Sequence, residues 1–502
     1  MGKININYQN GGIGGIIASN DGVSGLIYDT TILPADYEAG STVELFGIRD
    51  AENIGITNDG VTEVTATGGA VTITAVGDVG EVVSVIISPK NADPIVIGSY
   101  SIKTGDTNDD IAEGLSDSIN LKQIFTSTVA TNVVSLIAPE GYGASISGVG
   151  IINCVSNDSG SDLAVTISNF TGGVGCKLAN LHYIIDSFFK SNPETKLFLK
   201  LVNFTSAFDA EEIAKIQTAA NGEIRQVGIW TKKGLNNINN IVTTCNAVAV
   251  NQASKKKPLS VVIAAQPGSA TLATLSNLRT LQSPRVSVTI SNELGSNSRG
   301  YNLIGITGNY PTDLGSVLGH ISRSSVAHSI AWVAENVTQL PNVMLVTGEA
   351  WNEIEDTTRP DELAQKGYIF ERKYFGYAGS YFDNDSVADA FTSDYDSIKR
   401  MRTMDKVARI SYFSLVPYLS SPLVLDSTTG QMSTSTVIKF TSVLNQQIQQ
   451  MATDAEVSGF SVYINPAQNV LVNKELVVNV SIVPVGSADT ITLNLGYVLQ
   501  IQ

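Results

Sequence analysis

His182, His320 and His328 are the only histidines in the 502 residues, and Cys154, Cys176 and Cys245 the only cysteines. Zinc sites draw on imidazole and thiolate, yet neither H-E-x-x-H nor C-x-x-C occurs, so a zinc ion has almost no donors. His320 and His328 are read as sharing one helix, where a separation of eight places them two turns apart, beyond joint ligation of one ion. An odd number of cysteines without paired spacing fits reduced or incidental thiols better than a disulfide framework. The glycine runs at 11–15 and 172–175 lack the strand-to-helix setting of a dinucleotide site, and no G-x-x-x-x-G-K-[ST] is present. Asp106, Asn108 and Asp110 imitate the start of a calcium loop, but Ile111 stands at its glycine position and Asp117 at its terminal glutamate position. An acidic helix cap explains them better. Ser24 lacks the first half of a nucleophile elbow, and Glu371, Asp383 and Asp385 have no acid/base context. The expectation is therefore no enzyme, no metal and no cofactor.

The whole chain carries 31 basic and 47 acidic side chains, a formal charge of −16, which argues against a nucleic-acid partner needing a basic face. Charged residues make up 16%, below the roughly 25% of ordinary soluble domains, so much of the surface must be neutral or covered by other chains. Against that background the cluster Lys399, Arg400, Arg402, Lys406 and Arg409 stands out. It reads either as a solvated helix face balanced by Asp394, Asp396 and Asp405, or as a docking surface. No apolar run fits a signal peptide or a membrane span, so a soluble chain that starts in the cytoplasm, without membrane insertion, is expected.

These side chains must be positioned by elements whose periodicity is visible. Ile4, Ile6 and Tyr8 alternate with polar residues in a lone N-terminal strand that ends on a Gly-rich tether. Short Thr/Val/Ile strands at 70–76, 82–88 and 133–138, broken by one helix at 108–120, suggest a β-rich insertion over 61–173. Strands at 196–203, 225–231, 259–265 and 285–291 then alternate with helices at 209–220, 238–253, 270–278 and 313–333. Asp209 and Glu212 are expected to form a capping box on the first of these helices. Beyond Pro360 follow a hairpin at 367–382, a basic helix at 393–414, a second helix at 433–457 and three closing strands. Leu476, Val478, Val480 and Ile482 share one face of one strand, and Ile491, Leu493, Leu495, Tyr497, Leu499 and Ile501 share one face of the last. Apolar alternation at both chain ends says that each end has a sheet to join. The fold class expected is an α/β core with a mixed sheet plus an inserted β-rich, sandwich-like domain, with terminal strands for β-augmentation between subunits. The division is 1–20 for the N-terminal strand and tether, 21–60 with 174–370 for the core, 61–173 for an outer insertion, and 371–502 for a C-terminal domain.

The C-terminal third carries a specific set of motifs: Phe382-Asp-Asn-Asp385, Met404-Asp-Lys-Val-Ala-Arg409, Leu415-Val-Pro-Tyr-Leu419, Ser421-Pro422 and Thr429-Gly430. Glu456-Val-Ser-Gly459, Val462-Tyr-Ile-Asn-Pro-Ala-Gln-Asn-Val470 and Ile482-Val-Pro-Val-Gly486 follow in order. Residues 370–502 thereby resemble the conserved domain of contractile phage tail sheath proteins. More loosely, Gly98-Ser-Tyr100, Thr104-Gly-Asp-Thr107 and Phe170-Thr-Gly-Gly173 resemble the β-rich insertion of many sheath subunits. The resemblance implies a subunit that polymerises helically around an inner tube and contracts without ATP to drive that tube through an envelope. Its partners would be further copies of itself, the inner tail tube, and baseplate and tail terminator proteins, in a virion tail or phage-tail-like particle. A tail tube protein or a surface adhesin is the alternative. The linker strands expected to join subunits are Ile4, Ile6 and Tyr8 and Leu493, Leu495, Tyr497 and Leu499; Leu476, Val478, Val480 and Ile482 form the acceptor strand, and Lys399, Arg400 and Arg402 face the tube.

Overall fold

Period-two alternation with both sets apolar is what a strand needs when covered on two faces. Residues 24–29 and 226–231 come near it, with apolar centres, Leu26-Ile-Tyr28 and Ile229-Trp230, between polar ends, and every position of both is buried. The computed structural model describes residues 21–34, 36–58, 65–89, 94–139, 142–173, 178–293, 298–338, 340 and 342–497. The expected N-terminal strand with Ile4, Ile6 and Tyr8, together with Leu499 and Ile501, lies outside the described residues.

The chain enters through β1 (Ser24–Asp29), β2 (Val43–Leu45) and the short helix α1 (Ile48–Asn53). It then builds β3 (Ala70–Ala75), β4 (Val82–Ile87), β5 (Ile95–Ser101), α2 (Asn108–Lys122), β6 (Thr126–Ala130), β7 (Val133–Ile137), β8 (Ile152–Ser156) and β9 (Ala164–Ser168). These strands form two antiparallel sheets, ordered β6-β7-β3-β9 and β5-β4-β8. Val71, Ile73, Val83, Val85 and Val134 meet Ile111, Leu115 and Ile119 of α2 in a core of their own. Helix α2 begins where Thr107 and Asp110 exchange capping hydrogen bonds, so the calcium-like acidic run is a helix start.

Helix α3 (Ala179–Ser191) leads back to the core through β10 (Leu197–Val202), α4 (Glu212–Ala219), β11 (Gln226–Gly234), α5 (Ile238–Ser254), β12 (Ser260–Gln266), β13 (Val286–Thr289) and β14 (Ser291–Glu293). There follow α6 (Arg299–Thr307), α7 (Leu314–Arg323), β15 (Val337–Thr338), β16 (Val343–Leu345), α8 (Trp351–Ile354), α9 (Arg359–Lys366), β17 (Tyr368–Ile369), β18 (Glu371–Arg372) and β19 (Ser380–Phe382). The main sheet runs β17-β13-β12-β11-β1-β10-β2, parallel except for the antiparallel edge strand β2. Alternation sorts its side chains into two layers. Ile27, Val227, Ile229, Val261 and Ile263 pack with α4 and α5. Leu26, Tyr28, Trp230, Val262 and Ala264 pack with α3 and α7 on the other face. Helices α3 and α7 approach so closely that a Cβ on Gly315 would lie 2.0 Å from the Ile184 carbonyl oxygen. Helix α10 (Ile398–Leu415), α11 (Thr434–Thr453), β20 (Val457–Tyr463), α12 (Val470–Asn473) and β21 (Asn479–Pro484) complete the chain. The α/β core with a mixed sheet and a β-rich addition is the architecture present.

Several sequence expectations need correction. Helix α4 starts at Glu212, not Asp209, and the capping box is absent: Asp209 accepts from the Glu211 amide at 3.0 Å, while Glu212 is drawn 2.7 Å from the Lys215 ammonium. Residues 270–278 form only short turns of three residues instead of a helix. Helix α7 stops at Arg323 instead of continuing to 333, so His328 is not on the helix of His320. The physical cause is remote: the Arg402 guanidinium on α10 takes the carbonyls of Ser324 at 3.2 Å and Ser325 at 3.3 Å, groups a longer helix would use internally. The strand expected to begin at Leu476 begins at Asn479. Upstream of it the Gln468 side chain occupies both the amide and the carbonyl of Val477, at 2.7 and 2.8 Å, where a strand would pair. Residues 490–497 have no strand partner among the described residues, and the strand expected there is one that another subunit completes.

Candidate assembly site

The last two described strands make a sheet of only two members. β20 and β21 pair antiparallel, with Phe460 opposite Ile482, Ser461 opposite Ser481 and Val462 opposite Val480. One face is apolar: Phe460, Val462, Val478, Val480 and Ile482 rest on Leu444, Ile448 and Met451 of α11 and on Val407 and Ile410 of α10. Leu476 and Val478 also reach a small neighbouring cluster around Phe440 and Ile464. The opposite face leaves Tyr463 and Val483 exposed. Among the described residues neither outer edge of this pair has a partner strand. A two-stranded sheet is marginal by itself, and open edges template the addition of further strands. Immediately downstream Ile491, Leu493, Leu495 and Tyr497 are exposed, Tyr497 completely so, although every second residue of the segment is apolar.

The basic cluster on α10 is built inward. Lys406 bridges Asp21 at 2.8 Å and Glu456 at 2.6 Å, and Arg409 pairs with Asp21 as well. Arg402 is buried on carbonyl oxygens, that of Asp21 at 3.4 Å included, and burial brings its guanidinium down to about 10. Asp405 holds Arg285 through two hydrogen bonds of 2.8 Å. Lys399 is buried as well, 3.7 Å from Asp385 and 2.8 Å from the Ser487 hydroxyl, to which it donates. Arg400 is the more accessible of the three residues expected at the tube, and it pairs with Asp396 at 3.0 Å. The cluster therefore fastens Asp21, the first described residue, to the residue that precedes β20. Asp21 and Glu456 were missed as members of it because their partners lie far along the chain, 388 positions for Asp21 and Arg409 and 50 for Glu456 and Lys406; the surplus of cations on α10 was the available signal.

The side chains that could do chemistry are dispersed. The His182 ring bonds Glu52 and Arg299, each within 3 Å. His320 is buried against Phe382, and desolvation lowers its imidazole to about 4. His328 lies by Glu335. Burial raises the Cys154 thiol to about 11 and the Cys245 thiol further; Cys176 lies outside the described residues. Among those described, no three His, Cys, Asp or Glu side chains are placed to hold a metal ion, and no helix is long and apolar enough to cross a membrane. At the reversal of strand order beside β1, where open α/β sheets bind ligands, Asp29 instead ties the ends together. It accepts from the Phe204 and Lys232 amides and the Thr231 hydroxyl at 3.0, 2.9 and 3.1 Å.

Residues 1–386 match the family described as DUF2586, N-terminal domain, and residues 394–502 the one described as DUF2586, C-terminal domain. No curated protein matches the sequence. Among solved structures, the chain is similar to one in the anti-feeding prophage (AFP) baseplate, at 14% identity over 63% of this chain and 80% of that one, with a TM-score of 0.43. It is also similar to one in the PVC sheath complex of an extracellular contractile injection system in the contracted state, at 12% identity over 64% of this chain and 81% of that one, with a TM-score of 0.43.

Proposed function

The chain belongs to the DUF2586 family, and from that premise we propose that it is the structural subunit of a contractile tail sheath. Copies polymerise helically around an inner tube in a virion tail or phage-tail-like particle and contract to drive the tube through a target envelope. The observation that carries the reading is the β20–β21 pair: a two-stranded sheet whose edges have no partner among the described residues, beside an exposed alternating apolar tail. The sequence motifs of residues 382–486 point the same way. In this reading the N-terminal strand with Ile4, Ile6 and Tyr8 and the final strand with Leu493, Leu495, Tyr497 and Leu499 add to the β20–β21 sheets of different neighbours. Main-chain hydrogen bonds set register, and the alternate apolar side chains of the added strands extend the face that packs on α10 and α11. A contact of this kind is heterologous and does not close, which generates a helix of subunits. The ion pairs on Asp21 keep the root of the N-terminal strand beside the sheet of its own subunit while the tether at 10–15 spans to the next. The β-rich unit around β3–β9 lies on the exterior and is dispensable for polymerisation. Lys399 and Arg402 are buried on internal partners, so the tube contact of α10 falls to the more accessible Arg400. The protein acts by assembly and not by catalysis, and tube, baseplate and terminator proteins are its other partners.

Deletion of residues 1–9 or 490–502 tests the reading. Each truncated chain is expected to stay folded by circular dichroism and to sediment as a monomer, where the full chain forms long polymers. Ordered polymers from either truncation would mean that the strands pair within their own subunit.

A further inference from the structure

From Leu415 to Thr453 only Asp426 and Lys439 are charged, two side chains in 39 residues of a chain that is 16% charged. Both are engaged locally. Asp426 accepts from the amides of Thr428 and Thr429 at 2.9 and 2.8 Å, and the Lys439 ammonium sits 4.8 Å from the centre of the Tyr418 ring. The segment is nonetheless surface. Helix α11 buries Phe440, Leu444, Ile448 and Met451 and turns Ile438, Ser442, Asn445, Gln446 and Gln449 outward. Exposed helix faces in monomeric proteins usually carry Lys and Glu. Here the outward face has none beyond Lys439 and exposes Ile438; exposed apolar side chains also stand at Tyr412 and Phe413 on α10 and at Val416, Leu419 and Val424 in the segment that joins the two helices. The connecting segment is tied to the start of α11, since Tyr418 packs on Phe440 and the Thr436 hydroxyl and Ser433 amide both bond the Val424 carbonyl. Charge depletion with exposed aromatic and aliphatic groups is the composition of the covered centre of a protein interface.

We propose that this neutral patch of α10 and α11 is a contact surface for a second copy of the chain, separate from the strand additions at β20 and β21; the proposal rests on the assembly reading above. The charge balance selects the occupant. Two bodies of formal charge −16 repel each other, and they meet at least cost where neither surface is charged. A second copy offers such a surface. All 17 residues of α5 are uncharged, and its outward Thr243 and Thr244 donate their hydroxyls to the Asn239 and Asn240 carbonyls at 3.0 and 2.8 Å. What those side chains leave for a partner is methyl groups. A strongly charged partner would gain nothing from a surface that has no counter-charges to give it.

The test introduces charge of each sign on the outward face of α11 in the full-length protein, as I438E/Q446E and I438K/Q446K. L121E/V149E, which places two acids on exposed apolar positions of the β-rich unit, is the control. Circular dichroism and melting temperature check that each chain folds, and sedimentation and electron microscopy read assembly with and without tube. Both α11 variants are expected to raise the critical concentration for polymerisation at least tenfold, because an unpaired charge of either sign is buried, while the control polymerises as the unsubstituted chain does. Unchanged polymerisation of either α11 variant overturns the proposal and leaves the strand-addition reading standing. So does stronger assembly of the Lys variant, or a defect seen only when tube is present, each of which assigns the patch to a charged or tube partner. A full-length, unsubstituted chain that never self-associates overturns both readings.

Discussion

Replacing Glu371 by Gln should make the fold more stable in mild alkali than the unsubstituted chain. Glu371 is fully buried at the start of β18, where one carboxylate oxygen accepts from the Thr338 and Ser380 hydroxyls at 2.5 and 2.9 Å and the other has no partner. Desolvation raises its carboxyl from 4.5 to about 7 in spite of those two hydrogen bonds. Asp313 is shifted upward in the same way, first by burial and then by the charge of Glu371. A carboxyl whose folded value lies above its unfolded value stabilises the fold in its protonated form. That contribution is complete below about pH 4.5 and is lost as pH rises through about 7. At 1.36 kcal/mol per unit, the loss between pH 5 and pH 8 comes to roughly 2 to 3 kcal/mol. The amide of Glu371→Gln keeps an acceptor for Thr338 and Ser380 and cannot ionise. Urea unfolding followed by tryptophan fluorescence at pH 5, 6, 7 and 8 should therefore show the two proteins converging at pH 5 and separating by about that amount at pH 8, with the variant ahead. Parallel pH profiles would refute the claim that a buried, ionisable Glu371 limits stability.

Gly315→Ala forces a methyl against the Ile184 carbonyl oxygen, 2.0 Å away, and should cost about 3 kcal/mol by separating α3 from α7, read as a lower urea midpoint with unchanged slope. Asp405→Asn leaves the Arg285 guanidinium, held by two 2.8 Å bonds, buried without a counter-charge; a loss of about 3 kcal/mol is expected, against little effect from Arg359→Lys, at a half-buried surface pair with Glu362. Leu444→Ala removes a side chain with no exposed surface between α11 and the β20–β21 pair, and hydrogen exchange should show that sheet opening at least tenfold more readily while β11 and β12 keep their protection. Cys245, buried in α5 with its thiol shifted upward, should stay unreactive to thiol reagents at pH 8 until the chain unfolds; rapid labelling of it in the native protein would place α5 wrongly.

How far the sequence revealed this depended on whether the cause of a feature was local. Strands β3, β4, β7, β10, β11 and β12 were legible because alternation and turn residues lie within each segment, and α2 because Ile111, Leu115 and Ile119 recur on one face behind an acidic start. The end of α7 was not, because its carbonyls are taken by Arg402, some 78 positions later. The basic face of α10 looked free for the same reason: its acid, Asp21, is 388 positions from Arg409. Of the expected linker and acceptor residues, the apolar face of Val478, Val480 and Ile482 is covered by α11, and Leu493, Leu495 and Tyr497 stand exposed. The alternation in both segments could be read directly. Which sheet the tail joins could not, since strand pairing is a property of the partner as much as of the strand.

Electron microscopy of the purified full-length chain, alone and with its cognate tube, tests the central claim most directly. The account predicts wide, hollow, helically ridged cylinders whose reconstruction shows β20 and β21 flanked by strands from other subunits. Narrow smooth tubes, or dispersed particles at every concentration and with tube present, would contradict it.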